Sequence, residues 1–272
     1  MDFDKIVQKM RKKGQKLWSL ADIEEYREVG EGSVKKGGAY KLIHRLVSTG
    51  VLISIRKGMY LWNMGGKLDS EDFYWPILKK VIAENYLGQG IITGVKALAF
   101  GLRDYSLPET ISVAVPKDGA KLALLGDYRL VTQTIRTGKR SLYPMIKKHA
   151  TRIIVEDTQL MVTAPEHALL EALTTRPGID INDTALIERW LRKNASSLQE
   201  EVFAEFIPHR YISATNRLKY LASDIELKPL YEMMVRLIDN QGKGCHLSRD
   251  FLLGKKYPRS RLKKRDKNIY CI

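Results

Sequence analysis

Residues 36–62 read KGGAYKLIHRLVSTGVLISIRKGMYLW, and this stretch decides the fold of the N-terminal part of the chain. Ala39, Leu42, Ile43, Leu46 and Val47 recur at the three- and four-residue steps that line one face of an α-helix. The spacing predicts a helix from Lys36 or Gly37 to Gly50, where a glycine stops it. The opposite face carries Gly37, Lys41, His44, Arg45 and Ser48, with Tyr40 at the border. Val51–Ile55 is then rich in β-branched residues, Arg56-Lys57-Gly58 supplies a turn, and Met59–Trp62 returns as a second strand. A helix with a polar, basic outer face thus runs directly into a basic-tipped hairpin.

Upstream, Ile6, Val7 and Met10 recur at helical spacing in Asp4–Lys13, and Gly14 ends that helix. Ser19 followed three residues later by Asp22 is a short-armed capping box that predicts a second helix over Leu20–Val29, with Leu20 and Ile23 inward. Three helices and a hairpin make the layout of a winged helix-turn-helix.

Downstream, Gly65-Gly66 reads as a linker. Helices are expected at Glu71–Tyr86 and at Thr93–Gly101, the latter capped by Thr93. Strands are expected at Thr110–Val115 and Tyr128–Ile135, with a hairpin of Arg152–Val155 and Gln159–Val162. Thr163 and Glu166 form a second candidate capping box for Ala164–Thr174. Three or four further helices follow, at Asp183–Lys193, Leu198–Phe206, Tyr211–Ala222 and Lys228–Asp239. The fold class expected is α+β, strands first and helices last. The domains expected are a winged helix-turn-helix at 1–64, a mixed α/β domain at 71–242 ending in helices, and a basic tail at 243–272.

The net charge is +15 and unevenly spread. Residues 1–63 carry +6, residues 64–242 only +1, and residues 243–272 carry +8. Basic ends are the electrostatic footprint of a polyanion partner. No apolar run reaches the roughly 18 residues that a membrane helix needs, and the first residues hold no apolar signal core, so no membrane partner and a cytoplasmic location are expected. Cys245 and Cys271 supply neither a disulfide framework nor metal-ligand spacing. No metal and no cofactor are expected.

Duplex DNA suits this pattern for geometric reasons, because the major groove admits one α-helix whose exposed side chains reach base edges. Tyr40, Lys41, His44, Arg45 and Ser48 are the candidate base readers. Ser33, Lys35, Lys36, Gly37, Gly38, Arg56 and Lys57 are the candidate phosphate contacts, the two glycines because their backbone can approach a phosphate closely. In the tail, Arg259, Arg261, Lys263, Lys264 and Arg265 form the densest basic cluster, a candidate nucleic-acid or toxin-countering surface.

Enzyme signatures are sparse, and no catalytic residue is assigned. Gly32-Ser33 has the Gly-Ser form of nucleotidyltransferases, but the one Asp-x-Asp, Asp2-Phe3-Asp4, opens the first expected helix, and none lies on a nearby strand to hold Mg²⁺. No phosphate-cradling Gly-x-x-x-x-Gly-Lys and no Gly-x-Ser-x-Gly are present. Glu226-Leu227-Lys228 has the Glu-x-Lys form of metal-dependent nucleases, yet it precedes a proline where a helix should start, which favours a capping role.

Several segments in order resemble the AbiEi family, the antitoxin component of abortive-infection, type IV toxin–antitoxin systems. Ile55-Arg56-Lys57-Gly58-Met59-Tyr60 is similar to that family's Arg-Gly-x-Tyr wing. Thr93–Leu98 with Gly101-Leu102 resembles the opening of its second domain. Asp157–Leu173 resembles its strand-then-helix core, and Tyr211–Ala222 its late helix. The resemblance covers roughly residues 3–240 and departs from the family in the basic tail and in Gly37-Gly38. It implies a two-domain antitoxin that represses its own promoter at operator inverted repeats and counters a cognate nucleotidyltransferase-like toxin, with that toxin or its RNA target as a further partner. The competing reading of the same residues is a winged-helix regulator with a sensor domain and no toxin.

Overall fold

A computed structural model describes residues 3–28, 38–63, 70–137, 140–174, 184–209 and 211–240. The fold is α+β and divides into two compact units, Met1–Gly88 with Leu122–Leu130, and Gln89–Lys121 with Val131–Ile272.

The first unit opens with α1 (Phe3–Lys13), β1 (Leu17–Ser19), α2 (Leu20–Glu28), α3 (Gly38–Ser48), β2 (Leu52–Arg56) and β3 (Met59–Trp62). The three strands form an antiparallel sheet in the order β1-β3-β2, with Trp18 opposite Tyr60 and Ile53 opposite Leu61. The helices and the hairpin lie where the apolar spacing puts them. Strand β1 was not foreseen: three residues are too few to display a period of two, and it exists only through its pairing with β3. Ile6, Met10, Trp18, Ile23, Ile43, Leu46 and Leu52 build the core beneath these elements. Trp18 is wholly buried and its indole N–H donates to the Gln15 carbonyl at 2.7 Å, so the largest side chain of the core keeps its polar atom satisfied.

The expected capping box at Ser19 is complete. Asp22 N–H donates to the Ser19 hydroxyl oxygen at 3.2 Å, and Ser19 N–H donates back to the Asp22 carboxylate at 2.6 Å. The same carboxylate accepts from Lys80 on the next helix, α4 (Tyr74–Tyr86). Burial works to raise the Asp22 pKa, but the hydrogen bonds from Lys80 and Ser19 outweigh it and hold the group below its ordinary value. A short 3₁₀ turn, Ser70–Phe73, leads into α4, whose Tyr74, Trp75, Ile77, Leu78 and Val81 are buried. Tyr74 meets Tyr128 edge to face at 5.2 Å, and the Tyr128 hydroxyl donates to Glu71 at 2.9 Å. Helix α4 therefore belongs to the first unit, whose first segment runs to Gly88, while the linker expected at Gly65-Gly66 lies outside the described residues. Glycines mark where a chain can bend; they do not say with which core the next helix packs.

The remaining elements are β4 (Ile91–Ile92), α5 (Val95–Gly101), β5 (Thr110–Ala114), β6 (Lys121–Leu125), β7 (Tyr128–Gln133), β8 (Arg136–Thr137), β9 (Arg140–Ser141), α6 (Tyr143–Lys148), β10 (Thr151–Val155), β11 (Thr158–Val162), α7 (Pro165–Ala172), α8 (Thr184–Asn194), α9 (Glu200–Phe206), α10 (Ile212–Asp224) and α11 (Lys228–Asp239). The longer sheet has the order β10-β11-β4-β5-β7-β6. The β10–β11 hairpin is in register from Thr151 opposite Val162 to Val155 opposite Thr158. Among the described residues no strand follows β11 and five elements from α7 to α11 close the chain as helices, although α5 and α6 lie among the strands.

Three expected caps need correction. Helix α5 begins after Gly94, in a left-handed conformation at φ 66°, and Thr93 makes no capping bond. Helix α7 is preceded by Ala164, so Thr163 stands one residue too early to cap it. The Thr163 hydroxyl meets His167 Nδ1 at 3.0 Å instead, and Glu166 accepts the Gln199 N–H at 2.8 Å. Glu226 is exposed and left-handed at φ 60°, and α11 starts after Leu227 with no side-chain cap.

Two packing features of the second unit carry predictions. A Cβ added at Gly101 would come 2.5 Å from the indole nitrogen of Trp190 on α8, so only glycine lets α5 end there. Gly101→Ala should cost roughly 1–3 kcal/mol, read as a lower denaturation midpoint at an unchanged m-value; an unaltered midpoint would mean that the two helices can part without penalty. Lys96, 7% exposed, donates to the carbonyls of Asp104 and Ser106 at 2.9 and 2.6 Å. Burial pulls its pKa down to about 8, against the opposing pull of Asp104. The unfolded lysine titrates near ~10.4, so between these values the unfolded chain holds more protons and stability rises with pH. Relative to Lys96→Met, the native protein should gain stability from pH 7 to pH 10 in denaturant titrations. A gap independent of pH would show that Lys96 is not the titrating group.

Candidate nucleic-acid interface

Helix α3 has two faces because its apolar residues leave it no choice of orientation. Ala39, Ile43 and Leu46 are buried, with Leu42 and Val47 packed against the same core. Tyr40, Lys41, His44, Arg45 and Ser48 are all exposed, on the opposite side of the helix. Tyr40 is 61% exposed, unusual for an aromatic ring on a helix that has a core to join. No acidic residue occurs between Gly38 and Ser48. Among the described residues, no carboxylate lies within ion-pair distance of Lys41 or Arg45.

The end of α3 is fastened tightly. Thr49 N–H and its hydroxyl both donate to the Arg45 carbonyl, at 2.9 and 2.7 Å, and the Ser48 hydroxyl donates there at 3.1 Å. Gly50 turns left-handed at φ 71° and its carbonyl accepts from Asn63 at 2.8 Å. These bonds satisfy helix-end carbonyls and fix the step into β2.

At the hairpin tip the two basic residues differ. Lys57 is exposed in the turn, whereas Arg56, the last residue of β2, is half-buried. Its Nη1 is buried without a hydrogen-bond partner. Burial lowers the Arg56 pKa, and the charge of Glu84 on α4 works against that shift. Lys57 thus faces solvent, while Arg56 is partly committed to the protein. Gly58, at φ 80°, makes the turn, and its carbonyl accepts the Leu20 N–H at 2.9 Å, tying the tip to the start of α2.

Sequence reasoning did not find one neighbour of this surface. The Phe3 ring on α1 lies 4.1 Å from the Arg45 guanidinium carbon. Nothing local signals the contact, since the two residues sit on different helices. Of the other candidates, Gly38 is the first residue of α3. Ser33, Lys35, Lys36 and Gly37, and the tail residues Arg259, Arg261, Lys263, Lys264 and Arg265, lie outside the described residues.

The second unit holds a buried polar chain. His167 Nε2 meets the Tyr211 hydroxyl at 3.1 Å, that hydroxyl donates to Glu171, and Glu171 accepts from Gln133 at 3.0 Å. His167 is 0% and Glu171 4% exposed, so this chain offers no surface to a substrate. Lys228 lies against Glu232 at 4.0 Å. Among the described residues, no group of three His, Cys, Asp or Glu could hold a metal ion, and no helix is long and apolar enough to cross a membrane.

Among solved structures, the chain is similar to the crystal structure of the RV2827C protein from Mycobacterium tuberculosis, with a TM-score of 0.60 at 16% identity over 86% of this chain and 79% of that one. At this identity the likeness is one of fold. No family model and no curated protein matches the sequence.

Proposed function

We propose that the first unit is a winged helix-turn-helix that reads duplex DNA through α3, and that the whole chain is an antitoxin repressing its own operon and countering a nucleotidyltransferase-like toxin. The observation that carries the DNA reading is the face of Tyr40, Lys41, His44, Arg45 and Ser48, exposed together on a helix of fixed orientation with no acid among them. The order α1-β1-α2-α3-β2-β3 around a β1-β3-β2 sheet supports it, because the hairpin leaves α3 on the same compact core with Lys57 exposed at its turn. The antitoxin reading rests on the ordered resemblance of four segments to the AbiEi family.

The groups divide by role. Arg45 and Lys41 can donate to guanine O6 and N7, which differ from base to base, while Lys57 can neutralise a phosphate, which does not. A duplex should first be selected by the native protein from a random library. Arg45→Ala or Lys41→Ala should then lose roughly 1–3 kcal/mol on the selected duplex and much less on a random one. Lys57→Ala should weaken both about equally and lower the slope of log K against log salt by about one. Equal losses on both duplexes for the α3 changes would mean that α3 is not the reader. For the antitoxin role, co-expression with the nucleotidyltransferase-like protein of the same operon should restore growth, and growth arrest that persists despite abundant folded chain rejects it.

A further inference from the structure

We infer that Phe3 is a positioning residue for Arg45, holding the guanidinium for base recognition by stacking beneath it. The inference rests on the reading of α3 as a DNA-facing helix and adds a residue that reading does not contain.

A free arginine at an exposed helix position samples many rotamers, and ordering it on binding costs affinity. Phe3 removes part of that freedom. Its ring lies 4.1 Å from the Arg45 guanidinium carbon, within the range in which the negative face of an aromatic ring attracts a cation. Stacking occupies one face of the guanidinium and leaves the in-plane N–H donors open, and those are the donors that fork onto guanine O6 and N7. Phe3 is itself anchored: it is half-buried and packs against the core of Ile6, Met10 and Ile43. Arg45 has no acidic partner among the described residues, so the ring is what restrains it. Lys41, one turn earlier on the same face, has no such support among the described residues, so the two candidate readers are not equivalent.

Because Phe3 also packs on the core, the test uses changes that keep an apolar side chain. Phe3→Leu preserves packing and removes the ring, whereas Phe3→Tyr keeps both. The probes are the duplex selected by the native protein from a random library and a random duplex of equal length. Phe3→Leu should weaken binding to the selected duplex about two- to fivefold and leave the random duplex unchanged. Phe3→Tyr should bind like the native protein. In the double variant with Arg45→Ala, Phe3→Leu should add no further loss, since there is no guanidinium left to position. A Phe3→Leu loss that adds fully to that of Arg45→Ala, or that falls equally on both duplexes, overturns the positioning role while leaving the DNA reading intact. A native protein that enriches no duplex from the library overturns that reading, and the role of Phe3 with it.

Discussion

One carboxylate organises the first unit. Asp22 accepts the Ser19 N–H, the Ser19 hydroxyl and the Lys80 ammonium. The first two fix where β1 ends and α2 begins, and the third fastens α4 to that junction. Since β1 pairs with β3 from Leu17 to Ser19, the same point sets the register of the sheet. The Gly58 carbonyl, bonded to the Leu20 N–H, ties the hairpin turn to it as well. Moving Asp22 would therefore disturb the start of α2, the seating of α4 and the aim of the hairpin together. Such a group serves specificity of structure more than gross stability, because Asp22 and Lys80 are only partly buried and part of their attraction is screened by water.

The orientation of α3 follows from packing alone. Ala39, Ile43 and Leu46 can be buried only if Lys41, His44 and Arg45 face away. This much was legible in the sequence, since a stripe of five apolar residues in one helix is a periodic signal. The capping box at Ser19 was legible too, while the similar pattern at Thr163 misled. There Pro165 starts the helix one residue later than a Thr163 cap requires, and a buried histidine claims the threonine hydroxyl. Short-range motifs state what a side chain is able to bond; tertiary neighbours decide what it does bond.

The features that escaped the sequence share that cause. Arg56 reads as a free cation at a turn, but it is half-buried and feels the charge of Glu84, far along the chain. Phe3 reads as one more apolar residue at the start of a helix, but its ring meets Arg45 two helices later. Gly101 reads as a helix stop, while its constraint is the indole of Trp190. In each case the residue type was visible and the partner was not, because no periodicity links residues on different elements.

The second unit uses buried polarity differently. Once Tyr211 donates its hydroxyl proton to Glu171, its oxygen can only accept, so the proton of a neutral His167 ring must sit on Nε2 and point at that oxygen. Nδ1 is then an acceptor, and the hydroxyls of Thr163 at 3.0 Å and Thr93 at 3.4 Å are the donors that face it. The direction of every bond in the chain follows from that of one. Thr93 precedes α5, Thr163 precedes α7, Tyr211 precedes α10, and Gln133 closes β7, so a single chain of hydrogen bonds registers three helix starts against a strand. An apolar core of the same volume would bury these elements equally well but would tolerate a sliding helix; a directional polar chain does not, because a displaced member leaves a buried donor or acceptor unpaired.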